Sequence, residues 1–329
     1  MFGLMLRFLF LLLFCSHILF AKQPLIIDTD VGYDDLMAIM SLVQKSEFDV
    51  KAITITGTGL AHPEKGLENT RRLLTLLNKN IPTAYGRGDP FEDGHLYPED
   101  WREKIDAISE RFQDFGAETI DLPQESNAVA LLAETLESSL EKVTLLTLGP
   151  LTNIGELFLK RPDLIQKINK IYTMGGALSV SGNLSIIKDS VAEWNMYADP
   201  QAVKVVMQAG IPIYLIPLDA TIHVPLTLSF YDEFKKTYKG TPKEALFLQL
   251  LNGVVPWIDM DGFFFWDVVA AEILCDHSLA HFQYCKIDIV TGPEPDSGRT
   301  FFSENGFPVH VALTVDGAKL LQTFCKTLK

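Results

Sequence analysis

The chain has 329 residues, 47% of them hydrophobic and 21% charged, which describes a folded globule and excludes a disordered chain. Lysine and arginine number 28 against 42 aspartates and glutamates, a net charge of −14. That balance repels phosphate backbones and argues against nucleic acid as a partner.

Residues 1–21 stand apart. Arg7 precedes an unbroken apolar run, Phe8 to Phe14, which resumes at Ile18 to Phe20 and ends in Ala21 before Lys22. A charged start, a greasy middle and a small-residue exit read as an export signal. The run is short for a membrane span, which needs about 20 residues, so an uncleaved anchor is the lesser reading. Residues 22–329 then form one exported domain, periplasmic or secreted, with no later membrane span. Cys275, Cys285 and Cys325 show no C-x-x-C spacing. They read as buried thiols, with Cys275 and Cys285 the nearest pair for a disulfide.

Beyond the leader, short β-branched runs alternate with amphipathic ones. The strands predicted are Pro24 to Thr29, Lys51 to Thr56, Val143 to Leu148, Lys170 to Met174 and Pro212 to Ile216. The helices predicted are Leu36 to Val43, Leu67 to Leu77, Ala128 to Leu140, Asn153 to Leu159 and Ala202 to Met207. Alternation of this kind predicts an α/β domain: a Rossmann-like, mostly parallel twisted sheet with helices on both faces. Ligands of such sheets bind at the carboxyl ends of the strands. Two stretches break the rhythm: polar Gly86 to Ser126, with Tyr97 and Trp101, and irregular Pro225 to Gly262. Both read as loops or small helices covering a site.

The richest segment is Asp28-Thr29-Asp30-Val31-Gly32-Tyr33-Asp34-Asp35, where the first strand gives way to the first helix. In an extended chain, Asp28 and Asp30 leave on the same face. Gly32 permits the backbone angles of a tight turn. Helix capping explains one or two of the acids. Four carboxylates in eight residues repel one another unless protons or a cation intervene. Hard oxygen ligands in that number suit Ca²⁺ or Mg²⁺.

This segment resembles the D-T-D-x-G-x-D-D signature of the inosine-uridine-preferring nucleoside hydrolases. Further motifs follow in that family's order, so the resemblance runs from about Pro24 onward. It implies hydrolysis of the N-glycosidic bond of a small-molecule ribonucleoside, and a homodimer or homotetramer. It implies Ca²⁺ held by Asp30, Asp35, Asp267 and the carbonyl of Leu148, which precedes Gly149-Pro150. By the same resemblance Asp30 takes a proton from water, and Asp34, Asn183, Glu193 and Asn195 hold the ribose. Asp267 follows four aromatics and is awkward to bury without a charged partner. Asp199, before Pro200, reads simply as a helix cap.

Two positions depart from the pattern. Several family members carry, just before the last Asp, a histidine proposed to protonate the leaving base; this chain has Trp266. An indole cannot donate such a proton, but it can stack on the base and favour a cationic ring. Phe263, Phe264, Trp257, Tyr97 and Trp101 are candidates for the same pocket. Second, Thr58 follows Gly57 where the family often has a ribose-binding Asn, and His62 is the nearby candidate to compensate. Two rival readings remain: a Mg²⁺-dependent phosphatase of the haloacid-dehalogenase type, and a nucleoside-binding protein without turnover.

Overall fold

A computed structural model of the chain describes residues 22–92, 94–115, 126–258 and 262–328. The leader read at residues 1–21 lies outside them. The first strand, β1 (Gln23–Thr29), carries the run Leu25-Ile26-Ile27, buried on both faces. Leu25 and Ile27 enter one core and Ile26 the other, as the two-residue period of a strand requires.

The same logic builds β2 (Phe48–Ile55), β4 (Val143–Thr147), β5 (Ile168–Met174) and β6 (Ile213–Ile216). Shorter β3 (Thr83–Tyr85) closes one edge. At the other edge lie β9 (Ala280–Ile289), β10 (Thr300–Phe302) and β11 (Phe307–Val315). The strand order is β10-β9-β11-β6-β5-β4-β1-β2-β3. Within this sheet β9 alone runs antiparallel to its neighbours. A separate ribbon pairs β7 (Pro225–Leu226) with β8 (Phe263–Phe264). The expected mostly parallel α/β sheet is present, with the strands and helices predicted from sequence in place.

Two features went unread. Strands β3 and β9 to β11 are short or half-exposed, and β9 alternates without an apolar run. The stretch read as irregular holds two helices, Leu228–Thr237 and the 17-residue Pro242–Ile258. Pro242, Gly253 and Pro256 obscure the periodicity of the longer one. No disulfide joins Cys275 to Cys285; both are free thiols. No described helix is long and apolar enough to cross a membrane.

The sheet positions the site through its order. Strand β1 lies between β2 and β4, and from there successive strands are laid down in opposite directions. Such a reversal opens a crevice beyond the carboxyl ends. The end of β1 and the residue after β4 meet there: Leu148 N–H donates to the Asp28 carbonyl at 2.8 Å.

Candidate active site

A cavity of about 700 Å³ opens above this crevice. Its floor is acidic. Asp30, Asp34 and Asp35 reach it from the turn after β1, and Asp267 from the first turn of helix Trp266–Cys275. All four are buried. Ligand oxygens of Asp34, Asp35 and Asp267 lie within 4.8 Å of one another, and Asp30 adjoins Asp35.

The turn that gathers them departs from the expected geometry. Val31, not Gly32, takes the left-handed backbone, at φ 66°. That conformation is costly for a β-branched residue and marks stored strain. Gly32 has an ordinary φ of −65°. Its role is proximity: an added Cβ would stand 2.9 Å from Asp35 Oδ2, which accepts the Gly32 N–H at 2.9 Å. The Thr29 hydroxyl donates to the other oxygen of Asp35.

Asp28 also parts from the expectation. Extended backbone ends at Thr29, so alternation does not carry through to Asp30. Asp28 Oδ1 accepts from Thr54 Oγ1 at 2.5 Å and Asn153 Nδ2 at 2.8 Å, away from the cavity. Its carboxyl is pushed up to about 7 by burial. Asp28 ties β1 to β2 and to helix Thr152–Lys160.

Asp30 is held by the loop after β2. Its Oδ2 accepts the Leu60 N–H at 3.1 Å, and Gly59 packs against its Cβ. Arg102 braces that loop from helix Glu99–Asp106, donating to the carbonyls of Gly57 at 2.8 Å and Ala61 at 3.2 Å. Nothing in the residue pattern flagged Gly59 or Arg102. Burial and then the charge of Asp35 raise Asp30 and Asp267 well above the usual carboxylate range. The same two causes push Asp34 up to about 7. Among the described residues no cation forms an ion pair with these acids, and Asp267 Oδ1 is buried without a hydrogen-bond partner. An oxygen-only floor with an orphaned carboxylate oxygen fits a hard divalent cation.

The sugar-binding candidates line the opposite wall. Glu193 caps helix Trp194–Ala198 and accepts N–H bonds from Gly176, Asn195 and Met196 at 2.9 to 3.2 Å. Asn195 Nδ2 donates to the carbonyls of Leu148 at 3.0 Å and Met174 at 3.3 Å, while its Oδ1 accepts from the Tyr97 hydroxyl at 3.2 Å. Asn183 Oδ1 accepts the Trp194 N–H at 3.0 Å. Asn183, Glu193, Asn195, Leu148 and Trp266 all line the cavity, as do Phe263, Phe264, Trp257, Tyr97 and Trp101. Both stretches expected to cover a site therefore wall this one.

Thr58 and His62, at the second departure from the pattern, turn elsewhere. Thr58 is buried in a hydroxyl chain from Thr56 through Thr152 to Asp199, with contacts of 3.2, 2.8 and 2.7 Å. His62 does not take the place of the missing Asn: its Nδ1 lies 2.7 Å from Asp106 Oδ2, outside the cavity lining. Asp199 is the cap expected, accepting the Ala202 N–H at 3.0 Å.

The family described as "Inosine-uridine preferring nucleoside hydrolase" matches residues 25–322. The chain belongs to this family. It is 35% identical over 230 residues to the pyrimidine-specific ribonucleoside hydrolase RihA of Escherichia fergusonii, covering 70% of each chain. It is 37% identical over 235 residues to the RihA of Shigella boydii serotype 4, again covering 70% of each. Among solved structures it resembles the inosine-uridine preferring nucleoside hydrolase of Bacillus anthracis, with a TM-score of 0.83 and 27% identity. That match covers 94% of this chain and 99% of the other. A plant nucleoside hydrolase shares the fold at a TM-score of 0.80 and 22% identity, covering 94% and 99%. This nucleoside hydrolase is therefore an N-ribosyl hydrolase acting on small-molecule ribonucleosides, which sets aside the phosphatase and the inactive binding protein.

Proposed function

We propose that this nucleoside hydrolase holds Ca²⁺ on Asp30, Asp35, Asp267 and the Leu148 carbonyl, and that Asp30 is the base that deprotonates the attacking water. The observation that carries this is the convergence of four buried acids on one cavity floor, with Asp267 Oδ1 left unpartnered. Calcium bound there supplies positive charge that offsets the acids and makes nearby water a stronger acid.

The chain's own groups do the rest. Asp34, Asn183, Glu193 and Asn195 fix the ribose hydroxyls. Burial pushes the Glu193 carboxyl up, and three backbone N–H bonds keep it oriented and partly offset that shift. Leu60 N–H fixes one Asp30 oxygen and leaves the other to take the water's proton. As the C1′–N bond lengthens, the ribose gains oxocarbenium character, which the surrounding carboxylates stabilise. The base leaves between aromatic walls, stacked on Trp266. The leader at residues 1–21 sends the enzyme outside the cytoplasm in this reading.

Base release from inosine, adenosine, guanosine, uridine and cytidine, with calcium and then with chelator, tests the proposal. Release should stop with chelator. Asp30→Ala should remain folded and lose turnover by about 10²- to 10⁴-fold, the usual contribution of a general base. Full activity in that variant, or release indifferent to chelator, refutes it.

A further inference from the structure

Among the described residues, the base end of the cavity has aromatic walls and no histidine. The chain has seven histidines, and of these only His17 precedes residue 22. None of the other six lines the cavity. His62 pairs with Asp106, and His95 lies flat on Tyr197 at 4.0 Å between ring centroids. His277 and His310 pack on Tyr214, at 5.1 and 4.6 Å. The Tyr97 hydroxyl is already donating to Asn195, and both oxygens of Glu193 are accepting. Among the described lining residues Lys188 is the one lysine or arginine, and it is exposed. The Tyr33 hydroxyl is tied to Arg111, accepting from its Nε at 3.0 Å, and among the described lining residues no histidine or buried lysine is left to hand a proton to the departing base.

The walls are aromatic instead. Trp101 touches Trp194 and Trp257, with centroids 5.5 and 5.8 Å away. Trp266 meets Phe263 at 4.9 Å. The floor adds negative charge: four carboxylates against one divalent ion leave two negative charges when all are ionised. Aromatic faces and residual negative charge attract the same thing, a cationic ring.

We propose that this site favours ribonucleosides whose base already carries a fixed positive charge, such as N7-alkylated purines and N-ribosyl pyridinium compounds. The inference rests on the hydrolase mechanism above. In such a substrate the C1′–N bond breaks with its electron pair passing to the ring nitrogen, which cancels the ring's charge. The water oxygen bonds to C1′, and its proton goes to Asp30. The products are ribose and a neutral base, and the ring needs no proton. A neutral nucleoside must instead release an anionic base or borrow a proton from solvent.

The test pairs guanosine with 7-methylguanosine. Each kcat/KM is divided by that compound's own uncatalysed hydrolysis rate, which removes the methylated compound's greater intrinsic lability. The enhancement should be about 30-fold larger for 7-methylguanosine, the equivalent of roughly 2 kcal/mol for a desolvated cation on aromatic faces. 1-Methylnicotinamide, a pyridinium with a fixed positive charge, should also displace guanosine about tenfold more tightly than neutral nicotinamide does. Trp266→Leu should shrink both differences. Guanosine release with no extra enhancement for its methylated partner overturns this inference and leaves the hydrolase mechanism standing. Release from neither compound by an enzyme that cleaves inosine, adenosine, uridine or cytidine overturns this inference alone, and release from no nucleoside at all overturns both.

Discussion

Gly59→Ala is the sharpest probe of how Asp30, the proposed general base, is held. A Cβ on Gly59 would stand 2.1 Å from Asp30 Cβ, 2.5 Å from its Oδ2 and 2.7 Å from its Cγ. Carbon atoms settle at about 3.5 to 4.0 Å, so loop and aspartate must part by roughly 1.5 Å. Leu60, the next residue, gives the N–H that fixes Asp30 Oδ2, so retreat of the loop also breaks that bond. A displacement near 1 Å in a reacting group costs on the order of 10²-fold. Overpacking itself costs about 1–3 kcal/mol of stability, which a domain this size should survive. The expected result is kcat lowered about 100-fold in a folded protein whose melting point drops by a few degrees. Ultraviolet-monitored base release at saturating nucleoside, beside circular dichroism, measures both. A kcat within threefold of the parent would mean that the loop does not place Asp30, or that Asp30 is not the base.

The other predictions concern charge and bracing. Asp267→Asn removes a charge whose Oδ1 has no protein partner, so calcium affinity by calorimetry should fall by roughly 100-fold with little change in fold. Calcium-stripped protein should be less stable at pH 8 than at pH 5. Burial pushes the Asp28 and Asp34 carboxyls up to about 7 in the folded chain against 3.8 for a free aspartate, so between those limits the folded state holds protons that the unfolded chain has released. Stability therefore falls as pH rises through that window, and saturating calcium should flatten the trend in thermal melts. Higher melting of the stripped protein at pH 8 would contradict this assignment. Arg102→Met strips the buried carbonyls of Gly57 and Ala61 of their donor and should cost about 1–3 kcal/mol per unpaired group in urea unfolding, with kcat falling as the loop loosens.

How much of this was legible depends on the range of the forces involved. The acids of the first turn could be read because they interrupt an apolar run, and Asp267 because it ends an aromatic one. Asn183, Glu193, Asn195, Leu148 and Trp266 were placed by resemblance, and all five face one cavity. The five strands with continuous apolar runs were visible; β9, with half its residues toward solvent, was not. The backbone strain moved one residue, from Gly32 to Val31, because Gly32 is needed for its lack of a side chain beside Asp35. Gly59 and Arg102 left no trace in the pattern, since their importance lies in what stands opposite them in space. Thr58 and His62 drew attention by position, yet their partners Thr152 and Asp106 lie 94 and 44 residues further along.

The Asp267 N–H donates to Asp34 Oδ2 at 3.3 Å across 233 residues of sequence. The acid floor is thus split between the opening turn of the domain and a helix near its end, and it exists only when both are docked. An unfolded chain has the same aspartates but scatters them, so it offers the cation no comparable grip. Whatever binds the assembled floor works as a reversible cross-link between the two ends of the domain. At a hundred times its dissociation constant such a ligand adds about 2.7 kcal/mol to folding. In the proposed mechanism the ion that serves the chemistry would thereby also report completed folding: a chain that has not closed helix Trp266–Cys275 onto its first turn would neither hold the metal nor cut a nucleoside.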